Sequence, residues 1–353
     1  MLVYYFMVLL LFFIALVMSI NKQRSLPLFL FLFVLFVLHD GLRWDTGTDW
    51  DNYYNYFQHC LYNRWEHFEV GYCILSELIR EITDSYTVFL FVHAFIIWQL
   101  IFLVIWRFSP FPFLSVYLLY CLMLPLLGMN RQYIALALCV FSVIFIYRRK
   151  IIPFLLLIAL AFTFHKSALC FIFTYFLFRK FSTKFYICLL VFVVVVSFTG
   201  VIGKIPIFQF VAGDELTSEQ LSYYIGNTNS RTIFSSLLGI IRMFFWFALA
   251  FPLFVRTNDR KFILLFNIYF CYIIFYWLFN GSIFQIFVSR ALVYFTIFEI
   301  FIIPFIYREL KYSTNRPILL IFLFIYTSML LYKNITFYTI GNVNPFIPYK
   351  FFF

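Results

Sequence analysis

Charge is what this 353-residue chain has least of: Asp, Glu, Lys and Arg make up 12% of it, against about a quarter in water-soluble proteins, while 65% of residues are hydrophobic. A water-soluble fold is thereby excluded. Zinc-type Cys/His spacing, a phosphate-binding Gly loop and internal repeats are also absent. The opening MLVYYFMVLLLFFIALVMSI has neither a basic n-region nor a small-residue cleavage site, so it is expected to be a retained first helix. Seven cysteines give no disulfide framework, because Cys121, Cys139, Cys170, Cys188 and Cys271 sit in apolar runs as small hydrophobes. Only Cys60 and Cys73 lie in a polar segment.

What the chain has in abundance is apolar runs near the length that crosses a bilayer, roughly 20 residues or somewhat fewer when neighbours cover the ends. Twelve such spans are expected, at 2–20, 26–39, 86–106, 111–128, 132–147, 151–164, 167–178, 185–199, 235–255, 262–279, 291–306 and 317–332. The fold class is therefore an all-α integral membrane protein, one polytopic domain over residues 1–353. Loops after the odd-numbered spans hold 15 of the 26 basic residues and only two acids, Asp259 and Glu309. By the positive-inside rule those loops are cytoplasmic and both termini face outward. The net charge of +11 follows mostly from this topology and makes no case for nucleic acid.

The outward side is expected to hold two long segments, 40–85 and 200–234, which carry 12 of the 15 acidic residues. Segment 40–57, DGLRWDTGTDWDNYYNYF, places Arg43, Asp45, Asp49 and Asp51 just beyond the second span. It reads either as a solvated loop turning at Gly41 and Gly47 or as part of a site. The Asp45–Gly47 match to aspartic proteases is three residues long, and the calcium-loop spacing fails because position 12 from Asp45 is Tyr56. In segment 64–85 the helical spacing of Ile74, Leu75, Leu78, Ile79 and Ile82, opposite Glu77, Arg80, Glu81 and Asp84, predicts an amphipathic helix on the outer surface. Glu69 precedes it and is placed to point back toward a site.

Cationic residues recur where helices start from the outside: Asn130-Arg131-Gln132, His165-Lys166-Ser167 and Ser289-Arg290. A helix start carries unsatisfied N–H groups and about half a positive charge, so Arg added there makes an anion site. One such Arg alone reads equally as a snorkelling interfacial residue. Arg242 and Glu299 lie deep in their spans, where a charge costs on the order of 2.5–3.5 kcal/mol. Either they pair with each other or Arg242 faces an outward-opening polar cavity.

Taken in order, Arg43…Gly47-Thr48-Asp49…Tyr53…Phe57, Glu69-x-Gly71-Tyr72, Asn130-Arg131-Gln132-x-Ile134-Ala135, His165-Lys166-Ser167-Ala168-Leu169 and Arg290…Tyr294-Phe295 resemble the EpsG/Wzy-type family of bacterial polysaccharide polymerases. The resemblance runs from the second span to the Pro345–Tyr349 tail; segment 200–234 shares nothing with it. It implies a GT-C-like architecture and an O-antigen or exopolysaccharide polymerase of the bacterial inner membrane, working on its periplasmic side. Such enzymes join undecaprenyl-pyrophosphate-linked oligosaccharide units, donor and acceptor alike, alongside a flippase and a chain-length regulator of the same pathway. It further implies Asp49, Glu69 or His165 as the base, and Arg43, Tyr53, Arg131, Gln132, Arg290 and Arg242 around the pyrophosphate and sugars, with no cofactor and no metal. An O-antigen ligase, a transferase using polyprenyl-phosphate sugars and an oligosaccharide-lipid flippase are the alternatives; the inverted repeats and paired broken helices of transporters are not visible.

Overall fold

Inside a bilayer no water is available to the peptide backbone, so a chain this apolar satisfies its N–H and C=O groups within helices. The computed structural model describes residues 1–62, 68–199, 233–279, 285–310, 315–339 and 343–353, and they form an all-α, multi-pass membrane protein. The elements begin with α1 (Leu2–Ile20), α2 (Leu26–Gly41), β1 (Arg43–Trp44), α3 (Trp50–His59), α4 (Val70–Arg80), α5 (Tyr86–Phe108) and α6 (Pro112–Met123). A 3-10 turn (Leu124–Leu126), α7 (Asn130–Tyr147), α8 (Ile151–Phe164), a 3-10 helix (Lys166–Leu177) and α9 (Thr183–Thr199) follow. The remainder is α10 (Ile233–Arg256), α11 (Arg260–Phe279), α12 (Gln285–Thr296), α13 (Glu299–Glu309), α14 (Asn315–Phe337) and β2 (Lys350–Phe351).

Among the described residues seven helical stretches are long and apolar enough to cross a membrane, and five more apolar helices are shorter. Together they fall on the twelve segments expected from sequence. Four local expectations change. Segment 167–178 is a 3-10 helix, not an α-helix, and the stretch from Arg290 to Glu309 is interrupted between α12 and α13. Within 40–57, read as a turn-rich loop or a site, Trp50–His59 is helical and half-buried. The amphipathic helix of 64–85 is confined to Val70–Arg80 among the described residues, and its buried side is Tyr72, Cys73, Ser76 and Ile79. Of the apolar stripe, Ile79 is buried and Ile74, Leu78 and Ile82 are exposed, while Tyr72 finds aromatic partners on α3 and α5. The 200–234 segment lies outside the described residues except for Ile233 and Phe234, which open α10.

The helices group into two compact units, residues 1–172 with 303–353, and residues 173–302. In the first, α7 packs on α8 and α5, α2 on α5, and α1 on α6. All 12 residues of α6 are buried, so it is the axis of this unit. Prolines are placed where a helix start tolerates a missing N–H, Pro27 early in α2 behind the Ser25 cap and Pro112 at the head of α6. At the end of the unit away from residues 40–85, Arg24 donates to the carbonyls of Trp106 and Ser109 and so closes the C-terminus of α5. In the second unit α11 packs on α9, α10 and α12. Asn267 ties it together, accepting from the Tyr186 hydroxyl at 2.5 Å and donating to the carbonyls of Leu177 and Arg179.

Candidate active site

Residues 40–49 leave α2 and are fastened to the rest of the first unit at four places. Arg43 is 1% exposed and uses all three nitrogens: Nε on Asp40 Oδ1 at 2.8 Å, Nη1 on the Thr46 carbonyl at 2.7 Å, Nη2 on Asn130 Oδ1 at 2.7 Å. Asn130 is fixed in turn, donating through Nδ2 to the Tyr86 hydroxyl at 3.2 Å, while its carbonyl oxygen lies 2.9 Å from His93 Nε2. The first turn of α7 is thus held from three sides. Second, Gly47 (φ +120°) and Gly128 (φ +101°) meet backbone to backbone, and a Cβ on Gly47 would stand 2.7 Å from Gly128 Cα. Only glycine permits both the dihedral and the approach.

Third, β1 pairs antiparallel with β2, Arg43 opposite Phe351 and Trp44 opposite Lys350. Around this ladder Gly47 N–H donates to the Pro345 carbonyl at 2.8 Å, and the hydroxyls of Tyr4 and Tyr349 donate to the carbonyls of Phe346 and His39. Lys350 also pairs with Asp45. Fourth, the helix after the loop is anchored by its aromatics. Trp50, Tyr53, Tyr56, Phe57 and Cys60 recur at helical spacing and bury against Tyr72, Cys73, Ile79, Tyr86 and Phe89. The Trp50 ring stands 5.5 Å from the Arg43 guanidinium.

Arg131, the residue after Asn130, points to a different place. Its guanidinium forms an ion pair with Glu69 through Nη1, donates from Nε to the Tyr53 hydroxyl oxygen at 3.2 Å, and lies 4.4 Å from the Phe68 ring centre. Among the described residues Nη2 makes no hydrogen bond. The side chains of Arg131 and Glu69 keep 25% and 15% exposure, so the pair faces an accessible space. Asp49 caps the start of α3 by position and is half-buried one turn before Tyr53, whose hydroxyl proton its charge helps to retain. Burial is the larger cause of that retention, raising the Tyr53 pKa above its ordinary value, with Arg131 opposing it. Tyr53 therefore presents a neutral phenol to Arg131 at any physiological pH.

His165 ends α8, its Nδ1 2.6 Å from Ser167 Oγ. The end of α8 meets the start of α4 closely, since a Cβ on Gly71 would come within 2.4 Å of Thr163 Oγ1. Asp49, Tyr53, Glu69, Arg131, the buried Gln132 and His165 thus belong to one end of the first unit. Arg43 stands behind them, sealed. Arg242 and Arg290 belong to the second unit, where Arg242 meets Glu299 in a two-point pair, Nη2–Oε2 2.7 Å and Nε–Oε1 3.3 Å. Of the two sequence readings for that arginine, pairing is the one observed. Sequence reasoning passed over Asp40, Asn130 as the partner of Arg43, and Phe68. Asp40 ends an apolar run, and its i, i+3 spacing to Arg43 was the available signal.

Among the described residues no three His, Cys, Asp or Glu side chains gather as metal ligands would. The arrangement offers a partly open guanidinium at a helix start, with a carboxylate, a phenol and an aromatic face around it. That combination suits a hydrogen-bonded anion flanked by a sugar.

Fold and site together define a multi-pass membrane protein with an arginine–carboxylate cluster at one end of its first unit. The EpsG family profile matches residues 26–351, nearly the whole sequence, and the chain belongs to this family of polysaccharide polymerases. No curated protein and no solved structure gives a match.

Proposed function

We propose that the chain is a Wzy-type O-antigen or exopolysaccharide polymerase, joining undecaprenyl-pyrophosphate-linked oligosaccharide units at the periplasmic face of the bacterial inner membrane. The acceptor sugar's hydroxyl gives its proton to a base, its oxygen forms a bond to the donor's anomeric carbon, and the bond from that carbon to the pyrophosphate breaks. Polyprenyl pyrophosphate leaves with the bonding electrons, so the largest new charge sits on the departing phosphate. The observation that carries the reading is Arg131, held at the start of α7 by Tyr53 and Phe68 with a nitrogen left over. A guanidinium and helix-start N–H groups can stabilise that charge without a metal ion.

In this reading Asp49, Glu69 or His165 takes the proton, and Tyr53 and Gln132 support the sugars and the arginine. Arg43 acts from behind by fixing Asn130. The flippase that delivers lipid-linked units and a chain-length regulator are the partners.

Purified protein given polyprenyl-pyrophosphate-linked repeat units should lengthen them, and should do so in EDTA. Wild-type protein that leaves single units unjoined, or whose activity in EDTA is lost and returns with Mg²⁺, contradicts the activity or its metal-free form respectively. Reporter fusions should read cytoplasm at residue 149 and periplasm at residue 215.

A further inference from the structure

The ion pair in the cluster raises a question of occupancy, because the guanidinium that would meet a pyrophosphate already holds an anion. Glu69 stands on Nη1 of Arg131, while Tyr53 and Phe68 hold the same guanidinium through contacts that need no carboxylate. The arginine would keep its place if Glu69 moved away. Glu69 can move at small structural cost. Its side chain makes no cap on α4, and the helix start relies on its backbone carbonyl, which accepts from Tyr72 and Cys73 at 3.0 and 3.2 Å. It also precedes α4 in extended backbone, and its side chain retains access to solvent.

We infer that Glu69 is an internal stand-in for the phosphate: it occupies Arg131 in the empty site and is displaced when the donor's pyrophosphate binds. This inference rests on the polymerase reading of the site and deepens it. The pyrophosphate brings several oxygens and can engage Nη1 together with the spare Nη2, a two-point contact that the pair with Glu69 does not make. Exchange has two consequences. In the empty site Arg131 is already paired, which lowers its affinity for stray phosphate, and the donor's arrival leaves a released carboxylate beside it where the acceptor must come. Donor binding would then precede a productive acceptor complex.

The test turns on a sign. If Glu69 only positions Arg131, then removing its charge weakens anion binding; if it competes, the same change strengthens it. Purified Glu69→Gln and Glu69→Ala proteins should bind inorganic pyrophosphate and farnesyl pyrophosphate several-fold more tightly than the unchanged protein, read by calorimetry in detergent, while turnover falls. Farnesyl pyrophosphate tightening in step with the free ion identifies the headgroup as the shared determinant; tightening for one probe alone overturns the exchange at Arg131. Weaker or equal binding in both variants, with monodisperse protein, overturns the inference. Arg131→Ala separates the two levels: if it leaves pyrophosphate binding untouched, the anion site itself is misplaced, whereas if it abolishes binding and the Glu69 variants do not tighten, only the exchange is wrong.

Discussion

Two arginine–carboxylate pairs meet the start of α7 at consecutive residues, and they differ chiefly in what surrounds them. Arg43 and Asp40 are each 1% exposed, and every nitrogen of the arginine is used inside the protein, one of them on Asn130. Arg131 and Glu69 are 25% and 15% exposed, and the arginine has a nitrogen to spare. Breaking the first leaves an uncompensated charge with no water to receive it, whereas the second is partly solvated and screened. Ion pairing by itself therefore marks no site. Accessibility and an incomplete set of partners separate the two, and the sealed pair holds the helix start from which the open one projects.

The comparison breaks most sharply at Arg43. Arg43→Ala should destabilise the protein by about 3–5 kcal/mol, as loss of one partner of a buried pair does, and membrane-inserted protein should fall with it. Normal protein levels with normal thermal unfolding in detergent would show that the pair is not sealed. Arg131→Ala should do the converse, leaving melting nearly unchanged while turnover on lipid-linked units drops about 10²–10³-fold, the loss expected for one charge-stabilising donor. Arg131→Lys should recover only part of it, since an ammonium lacks the fork.

A smaller effect is expected at the joint that connects the pairs. Gly47→Ala at φ +120° should cost about 1–3 kcal/mol in strain and push residues 47 and 128 apart, lowering turnover more than the melting shift alone explains. The smallest concerns Cys60, buried in the cluster that α3 forms with α4 and α5. Burial pushes its thiol up to about 11 from 9.0. Between those values an unfolded chain ionises this thiol and the folded one does not, so the group's contribution to stability declines as pH rises above about 9. At pH 8 the thiol should resist maleimide in the folded protein and react after denaturation; equal rates would mean the α3–α4 packing is loose.

How much of this was legible depended on the kind of information each feature needs. The twelve apolar segments were readable because span length is a property of consecutive residues. Tyr53, Glu69 and Arg131 were also readable, since each belongs to a short motif whose resemblance to the family holds over the chain. The buried face of α4 was not, because its aromatic and small residues find partners on α3 and α5 that are distant in sequence. Ile74 and Leu78 are accordingly exposed while Ser76 is buried. Helix α3 hid among Asn, Asp and Gly, although Trp50, Tyr53, Phe57 and Cys60 carry its period. The link from Arg43 to Asn130 spans 87 positions and left no local trace.

The strand β2 sets the order in which the protein can be finished. Lys350 reaches back 304 positions to Thr46 and 305 to Asp45, so the loop bearing Asp49 receives its last partners only after the intervening helices have entered the membrane. Until then that loop waits without its clasp, and chain closure over such a separation comes late in assembly. A nascent chain stalled before residue 344 would contain every residue of the candidate site and still lack the seam that holds the site's first loop shut.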